Sequence, residues 1–429
     1  MPKSITLRSG LSSVLFWSII SAAFIGPGSV TTCAIAGSKY GLDLLWSLTF
    51  ATLGTIWLQE PAARITIASG LHLGEVITRM FATRSRLVLP ILFGAVTLGC
   101  AAYQAGNILG AVAGLSLLTG WSTTWLTVAV GLACVALLWG GTTSQLANFL
   151  GIIVLAMGVA FVYVAVDAPV SPVDVSVALV KPLFPVGSLV LINGLIGTTI
   201  VPYNLFLGSG IGQGQSLTEM RLGIWLAVII GGIISVALLL SGLLIVGDFS
   251  YEKMAAVLSG RVGPWGKGLF AFGLFAAGFA SSLTAPLAAS VTARSLLGWK
   301  TNSVAYRAVW LSVLATGMLF GLAEAEPIPV IVAVQAINGV LLPFVTVFLF
   351  LAVNNRSLLP EKYCNSVLQN LAMISIIGAT TFLGLRNVML VLLTTVSGQK
   401  GSIYWEVYVP MIVTLLIVGW LVARLVRVR

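Results

Sequence analysis

Ile25-Gly26-Pro27-Gly28-Ser29-Val30-Thr31-Thr32 interrupts one apolar stretch of the chain, and Gly197-Thr198-Thr199-Ile200-Val201-Pro202-Tyr203-Asn204 interrupts another. Proline has no amide for a helix interior and glycine weakens it, so each stretch predicts a helix broken at its middle. In hydrocarbon such a break exposes backbone groups that lipid cannot satisfy, so it survives only where it lines a polar cavity. A matched pair of broken helices in two halves of one chain points to the binding site of a transporter.

The rest of the sequence agrees with a membrane setting. Hydrophobic residues fill 58% of 429 positions, charged residues 8%, and mean hydropathy is +1.07, whereas a soluble domain carries roughly 25% charge. Apolar runs of about 20 residues match a bilayer core of about 30 Å. They fall roughly at 11–36, 44–63, 87–117, 123–143, 147–166, 184–210, 219–246, 267–293, 303–323, 328–353, 366–385 and 406–423. The fold class predicted is an all-α integral membrane protein of eleven or twelve spans. The opening Met1–Gly10 has two cations and no small-residue cleavage pattern before the first run, which predicts a retained first helix rather than a removable leader.

A net charge of +10 reads as membrane orientation rather than nucleic-acid binding, because cytoplasmic loops collect Lys and Arg. With twelve spans and an inner N-terminus, Lys39, Lys181, Lys253, Arg261, Lys267, Arg386 and Lys400 fall outside and the other fifteen of the 22 cations fall inside. Both termini are therefore expected in the cytoplasm, in a bacterial inner membrane. Cys33, Cys100, Cys134 and Cys364 have no metal-ligand spacing and predict no disulfide framework.

The break in span one returns in span six, an offset of five helices, as an inverted repeat of five plus five spans requires. The chain then reads as one transmembrane domain over 1–429, with repeats at about 11–166 and 184–353, a proline-rich linker at 168–185, and accessory helices at about 366–423. The small residues scattered through the spans, Gly151, Gly158, Gly231 and Gly232 among them, read as close helix packing.

At the two breaks the chain resembles the NRAMP family of divalent-metal transporters, whose members have the leucine-transporter fold. The likeness extends through Ala36-Gly37-Ser38-Lys39-Tyr40-Gly41, Leu58-Gln59-Glu60-Pro61-Ala62-Ala63-Arg64, Gly70-Leu71-His72-Leu73-Gly74-Glu75 and Ala276-Ala277-Gly278-Phe279-Ala280-Ser281-Ser282-Leu283-Thr284. The family's first break reads Asp-Pro-Gly-Asn, with Asp and Asn as metal ligands; the matching residues are Gly26-Pro27-Gly28-Ser29. Its sixth-span break carries a Met whose sulfur selects soft metals, and Val201 stands there. The family's sixth-span histidines match Tyr203 and Gly208, and its third-span proton-path acids match Gln104 and Asn107.

These exchanges remove the charge and the soft donor that a transition metal needs to leave water. No carboxylate replaces them, since all twelve Asp and Glu fall at span ends or in loops. The candidate substrate contacts are Gly26, Gly28, Ser29, Thr31 and Thr32 in span one and Thr198, Thr199, Val201, Tyr203 and Asn204 in span six. A half-helix N-terminus there offers amides and a positive dipole end to an anion. The plainer alternatives are a Ser29 cap, flexible glycines and a Tyr203 packed in the bundle. Gln104, Asn107, Gln335 and Asn338 either hydrate a pathway or join helices. Ser281, Ser282 and Thr284 match the place where the leucine-transporter fold holds Na⁺, or are packing residues. His72 reads as a solvated loop residue, and Arg307 as an orientation charge.

The leading expectation is a secondary transporter of a small hydrophilic anion, bicarbonate or a short carboxylate, working by alternating access with Na⁺ as coupling ion and no other cofactor. Spans one, two, six and seven would rock against the rest around the two breaks. The rival is a divalent-metal transporter with a relaxed site for Mg²⁺ or Mn²⁺, and a further rival is a membrane receptor that no longer transports. Nothing in the sequence supplies an enzyme's nucleophile and base or a nucleic-acid surface, and the oligomeric state is not legible.

Overall fold

The computed structural model describes residues 25–81, 85–140, 144–211, 216–301, 303–397 and 404–428. The first half of span one, at 11–24, and the cations Lys3, Arg8, Arg84, Lys400 and Arg429 lie outside the described residues.

Helix α1 runs Pro27–Tyr40 and starts with proline at the first helical position, where no amide is needed and φ is preset. Gly41, at φ 60°, ends it. Helices α2 (Leu45–Ser69), α3 (Leu73–Met80), α4 (Ser85–Thr119), α5 (Thr123–Gly140) and α6 (Ser144–Ala165) complete the first half. The proline-rich linker forms only the short α7 (Pro172–Ala178), capped by the Ser171 hydroxyl, which accepts from the Asp174 amide. In the second half α8 (Leu189–Thr199) and α9 (Pro202–Ile211) are the two pieces of span six. They precede α10 (Leu217–Gly242), an outer helix α11 (Tyr251–Val262), α12 (Trp265–Leu297), α13 (Val304–Leu322) and α14 (Pro327–Val353). A 3₁₀ turn at Glu361–Tyr363 leads to α15 (Val367–Ser397), and a π-helical turn at Tyr404–Tyr408 leads into α16 (Val409–Val428).

Ten segments among the described residues are long and apolar enough to cross a membrane, with Leu189–Gly210 counted as one. The predicted second span is present as the 25-residue α2, too polar to count with them. The eleventh span, expected at 366–385, extends to Ser397.

Two groups of helices form. α1 packs on α8 and α10, and α2 on α8, α9 and α10; α14 packs on both α8 and α4 and so bridges them to a second set, α4, α12 and α13, held by the α4–α12 contact. That contact is close because a Cβ on Gly278 would lie 2.5 Å from the Ala111 amide nitrogen and 2.7 Å from the Asn107 carbonyl oxygen. Small residues permit such approach where lipid supplies no hydrophobic drive for helix pairing.

Charge enters the interior at one end of the bundle only as a bonded network. Glu60 and Arg64, read from the sequence as span-end charges, are buried on α2. Glu60 accepts from Arg64 at 3.1 Å and from Arg221 of α10 at 2.9 Å. Arg64 also donates to the carbonyl oxygens of Tyr363 and Cys364, at 2.9 and 3.1 Å, and to Asn365 Oδ1 at 2.6 Å. The network thus ties the bundle to the chain between α14 and α15. Breaking a buried pair on one side costs about 3–5 kcal/mol, an exposed pair about 0–1. Arg64→Ala is expected to lower the thermal midpoint of the detergent-solubilised protein strongly, whereas Arg261→Ala, which breaks the half-exposed 2.9 Å pair with Asp167, should barely move it. Equal shifts would show that the α2 network carries no special share of stability.

Candidate functional site

The first break begins with Gly26, extended at φ −91° and ψ 178°, and the first helical bond of α1 is Val30 N–H to Gly26 O at 3.2 Å. The turn ahead of that bond carries the positive end of the helix dipole. At the second break α8 ends on Thr199 and Pro202 starts α9, so a second half-helix N-terminus lies in the same core. Ser29 Oγ and Thr198 Oγ1 share a hydrogen bond at 3.1 Å, joining the two breaks directly.

The α8 carbonyls exposed by the break are met by hydroxyls. Tyr103 of α4 donates to Thr198 O at 3.3 Å, and the Thr55 hydroxyl of α2, bonded to Ala51 O at 2.8 Å, shares its proton with Thr199 O at 3.2 Å. The Tyr103 ring stands edge-on to Tyr203, 5.5 Å away, which settles Tyr203 against the scaffold at the start of α9. From α14 the Gln335 amide presses on Gly28, where a Cβ would collide with it and would sit 3.0 Å from Thr198 Oγ1. Ser281 Oγ is 3.5 Å from the Cβ position of Gly26.

Gly26, Gly28, Ser29, Thr198 and Tyr203 are therefore gathered at one place, with Gln335 and Ser281 beside them. Val201 and Asn204 are buried at the start of α9. Three expected hydroxyls are engaged elsewhere. Thr31 shares a 2.9 Å bond with Tyr251 OH, Thr32 donates back to Gly28 O at 2.7 Å, and Thr199 donates to Leu195 O at 2.9 Å.

A buried polar seam adjoins the breaks. Gln104 Nε2 donates to Ser282 O at 3.1 Å and Asn338 Nδ2 to Val334 O at 3.1 Å. Gln104 Oε1, Asn107 Nδ2, Ser282 Oγ, Gln335 Oε1 and Asn338 Oδ1 are buried without a partner. Each such atom costs about 1–3 kcal/mol unless water or an ion meets it. Thr284 bonds its own helix at Ala280 O, 3.0 Å, so of the proposed coupling hydroxyls Ser282 has the unpartnered oxygen. No group of three or more His, Cys, Asp or Glu that could hold a metal occurs among the described residues.

Tyr103, Thr55 and Tyr251 were not singled out by the sequence. Tyr103 had a signal, because it adjoins Gln104 in an otherwise apolar helix. Tyr251 had none, since its helix α11 lies between spans. It lines an outer cleft of about 480 Å³ together with Ser116, Thr123, Glu252, Glu326 and Pro327. Burial holds its hydroxyl well above the ordinary phenol range, so it stays protonated at neutral pH. The Thr31–Tyr251 bond thus pins the outer helix over the first break. Removing one neutral bond costs about 0.5–1.5 kcal/mol. In Tyr251→Phe, amide exchange over residues 27–33 should accelerate by roughly two- to tenfold, and an unchanged rate would show that the bond does not close the outer side.

Residues 18–391 match the family model described as natural resistance-associated macrophage protein-like. The chain is 28% identical over 366 residues to a protein of Deinococcus radiodurans named divalent metal cation transporter MntH, covering 80% of this chain and 81% of the relative. A Bacillus subtilis protein of the same name is 26% identical over 309 residues, covering 66% and 70%. Among solved structures, a manganese transporter of Eremococcus coleocola superposes with a TM-score of 0.76 at 17% identity, covering 100% of this chain and 96% of that one. Mhp1, a nucleobase-cation-symport-1 transporter, superposes at 0.52 over 96% and 93%. The fold is accordingly the leucine-transporter type, with span six broken between α8 and α9, and the chain belongs to the Nramp family of membrane transporters.

Proposed function

We propose that this transporter carries a small hydrophilic anion, bicarbonate or a short carboxylate, through the paired breaks by alternating access. The observation behind this reading is the donor set. The gathered groups are glycine backbone, hydroxyls and an amide, with the N-termini of α1 and α9, whose dipoles favour negative charge, beside the carbonyl end of α8 that carries Thr198. The Thr198 carbonyl accepts from Tyr103, while the Thr199 carbonyl takes only the longer branch of a Thr55 proton that bonds Ala51 O at 2.8 Å. No carboxylate, imidazole or thioether is among the gathered groups to replace the hydration of a divalent ion.

An anion entering a negative-inside cell works against about 2.3 kcal/mol per charge per 100 mV, so uptake needs a cation partner. The unpartnered Ser282 hydroxyl beside Gln104 and the amides at the proton-path positions favour Na⁺ in that role. The cation bias of the loops supports both termini on the inner side of a bacterial plasma membrane.

A second reading is a divalent-cation transporter with a relaxed site for Mg²⁺ or Mn²⁺, and the names of the relatives match it rather than the anion. Glu252 and Glu326 in the outer cleft also suit a cation approaching from that side.

Uptake into proteoliposomes of ¹⁴C-bicarbonate and of ⁵⁴Mn²⁺ separates the two. The anion reading expects saturable bicarbonate uptake and Mn²⁺ binding no tighter than about millimolar, near −4 kcal/mol; saturable micromolar Mn²⁺ uptake would put the cation first. Ser29→Asp sharpens the test, because an aspartate in the first turn of α1 is favoured by the helix dipole yet places negative charge where the anion would sit. The folded variant should not transport, while Thr198→Ala should weaken apparent affinity by about two- to a hundredfold. Bicarbonate uptake should also require a Na⁺ gradient, with Ser282→Ala raising the Na⁺ concentration for half-maximal rate. Uptake driven by a pH gradient alone in Na⁺-free buffer would assign the coupling to protons.

A further inference from the structure

At the end of the molecule that bears Arg64, a cleft of about 310 Å³ opens between the end of α14 and the end of α16. Arg356, Asn355 and Ser357 form one wall, Arg424 the other, and Met80 and Phe350 give it an apolar side. A more polar hollow adjoins it and shares Asn354, Arg356 and Leu425.

Both arginines are available to a further anion. Arg356 pairs with Glu361 at 3.1 Å, but the two side chains are 44% and 77% exposed, so the pair is weak and exchangeable. The Arg424 guanidinium sits 5.6 Å from the Trp420 ring, which is itself half-exposed as interfacial tryptophans are. α16 leaves Leu415, Leu416, Val422 and Val426 exposed along its length, so the cleft lies at a lipid-facing edge.

We propose that this cleft binds the headgroup of an anionic phospholipid, with the phosphate between Arg356 and Arg424 and an acyl chain along the exposed face of α16. Guanidinium groups hold phosphate oxygens in bidentate fashion, and basic pockets between spans on the cytoplasmic side suit such lipids. Occupancy also bears on the bundle. Asn354 and Asn370 exchange bonds at 2.8 and 2.9 Å, Asn365 donates to Asn370 Oδ1 at 3.1 Å, and Arg64 donates to Asn365. A continuous run of amides thus links the cleft to the Glu60–Arg64–Arg221 network, and a lipid seated there reinforces that network.

The test uses native mass spectrometry of the full chain in detergent, titrated with dioleoyl phosphatidylglycerol or dioleoyl phosphatidylcholine. The parent protein should retain phosphatidylglycerol in preference to phosphatidylcholine. The double variant Arg356→Ala with Arg424→Ala should lose about thirtyfold in phosphatidylglycerol affinity, from about one kcal/mol per cation near a charged lipid surface. Replacing both arginines by lysine, which keeps the charge, should retain most of it, and Arg261→Ala at the other end should change nothing. Equal retention of the two lipids, or undiminished binding by the double variant, overturns the proposal. Displacement of bound phosphatidylglycerol by millimolar glycerol phosphate overturns it too, because the site would then be one for soluble phosphate. None of these outcomes depends on which ion the central breaks carry.

Discussion

A membrane helix that stops and restarts at bilayer depth leaves carbonyls and amides that hydrocarbon cannot satisfy, and the core of this protein is arranged around meeting that demand twice. Tyr103 and Thr55 reach from α4 and α2 to the last carbonyls of α8, and Ser29 bonds Thr198 from one break to the other. The same residues that make the breaks tolerable also make the site polar without making it charged. Packing follows from this: Gly28 admits the Gln335 amide from α14, and Gly278 lets α12 close on α4. α14 and α4 thus meet α1 and α8 where the backbone of the latter is least regular.

Charge is distributed by a different rule. Glu60 and Arg64 are buried on α2, bonded to each other, to Arg221 and to three groups before α15. Because a buried ion is costly unless paired and fully bonded, this network is the one strongly coupled ionic contact between the bundle and the accessory helices among the described residues. Towards the opposite end the link is a neutral bond, Thr31 to Tyr251. The Arg64 end is therefore the more strongly bonded of the two, and the amide run from Asn365 to Asn354 extends it towards the ends of α14 and α16.

Neutrality at the breaks is the feature that sets this chain's chemistry apart from its named relatives' cargo. Fold and family are shared over most of the chain, yet function resides in the site and not in the scaffold. The groups gathered at the breaks are backbone, hydroxyls and an amide, whereas the relatives are named for divalent cations. The two considerations rest on different physical facts, and the uptake of the two ions decides between them.

The sequence by itself determined the membrane class, the paired breaks and the family resemblance. Hydropathy, proline and glycine act locally along one helix, so they can be read without knowing what lies across from them. It also identified Gly26, Gly28, Ser29 and Thr198 as neighbours through the inverted repeat. What only the tertiary structure decided was the partner of each polar group. Thr31 bonds an outer helix 220 residues away and Thr32 its own backbone, although both looked like ligands beside Ser29. Glu60 and Arg64 looked like span-end charges and are buried in a network. Tyr251 carried no signal at all. A side chain's hydrogen-bond partner depends on which helix packs opposite it, and that choice is made by close contacts between segments hundreds of residues apart, which no local pattern records.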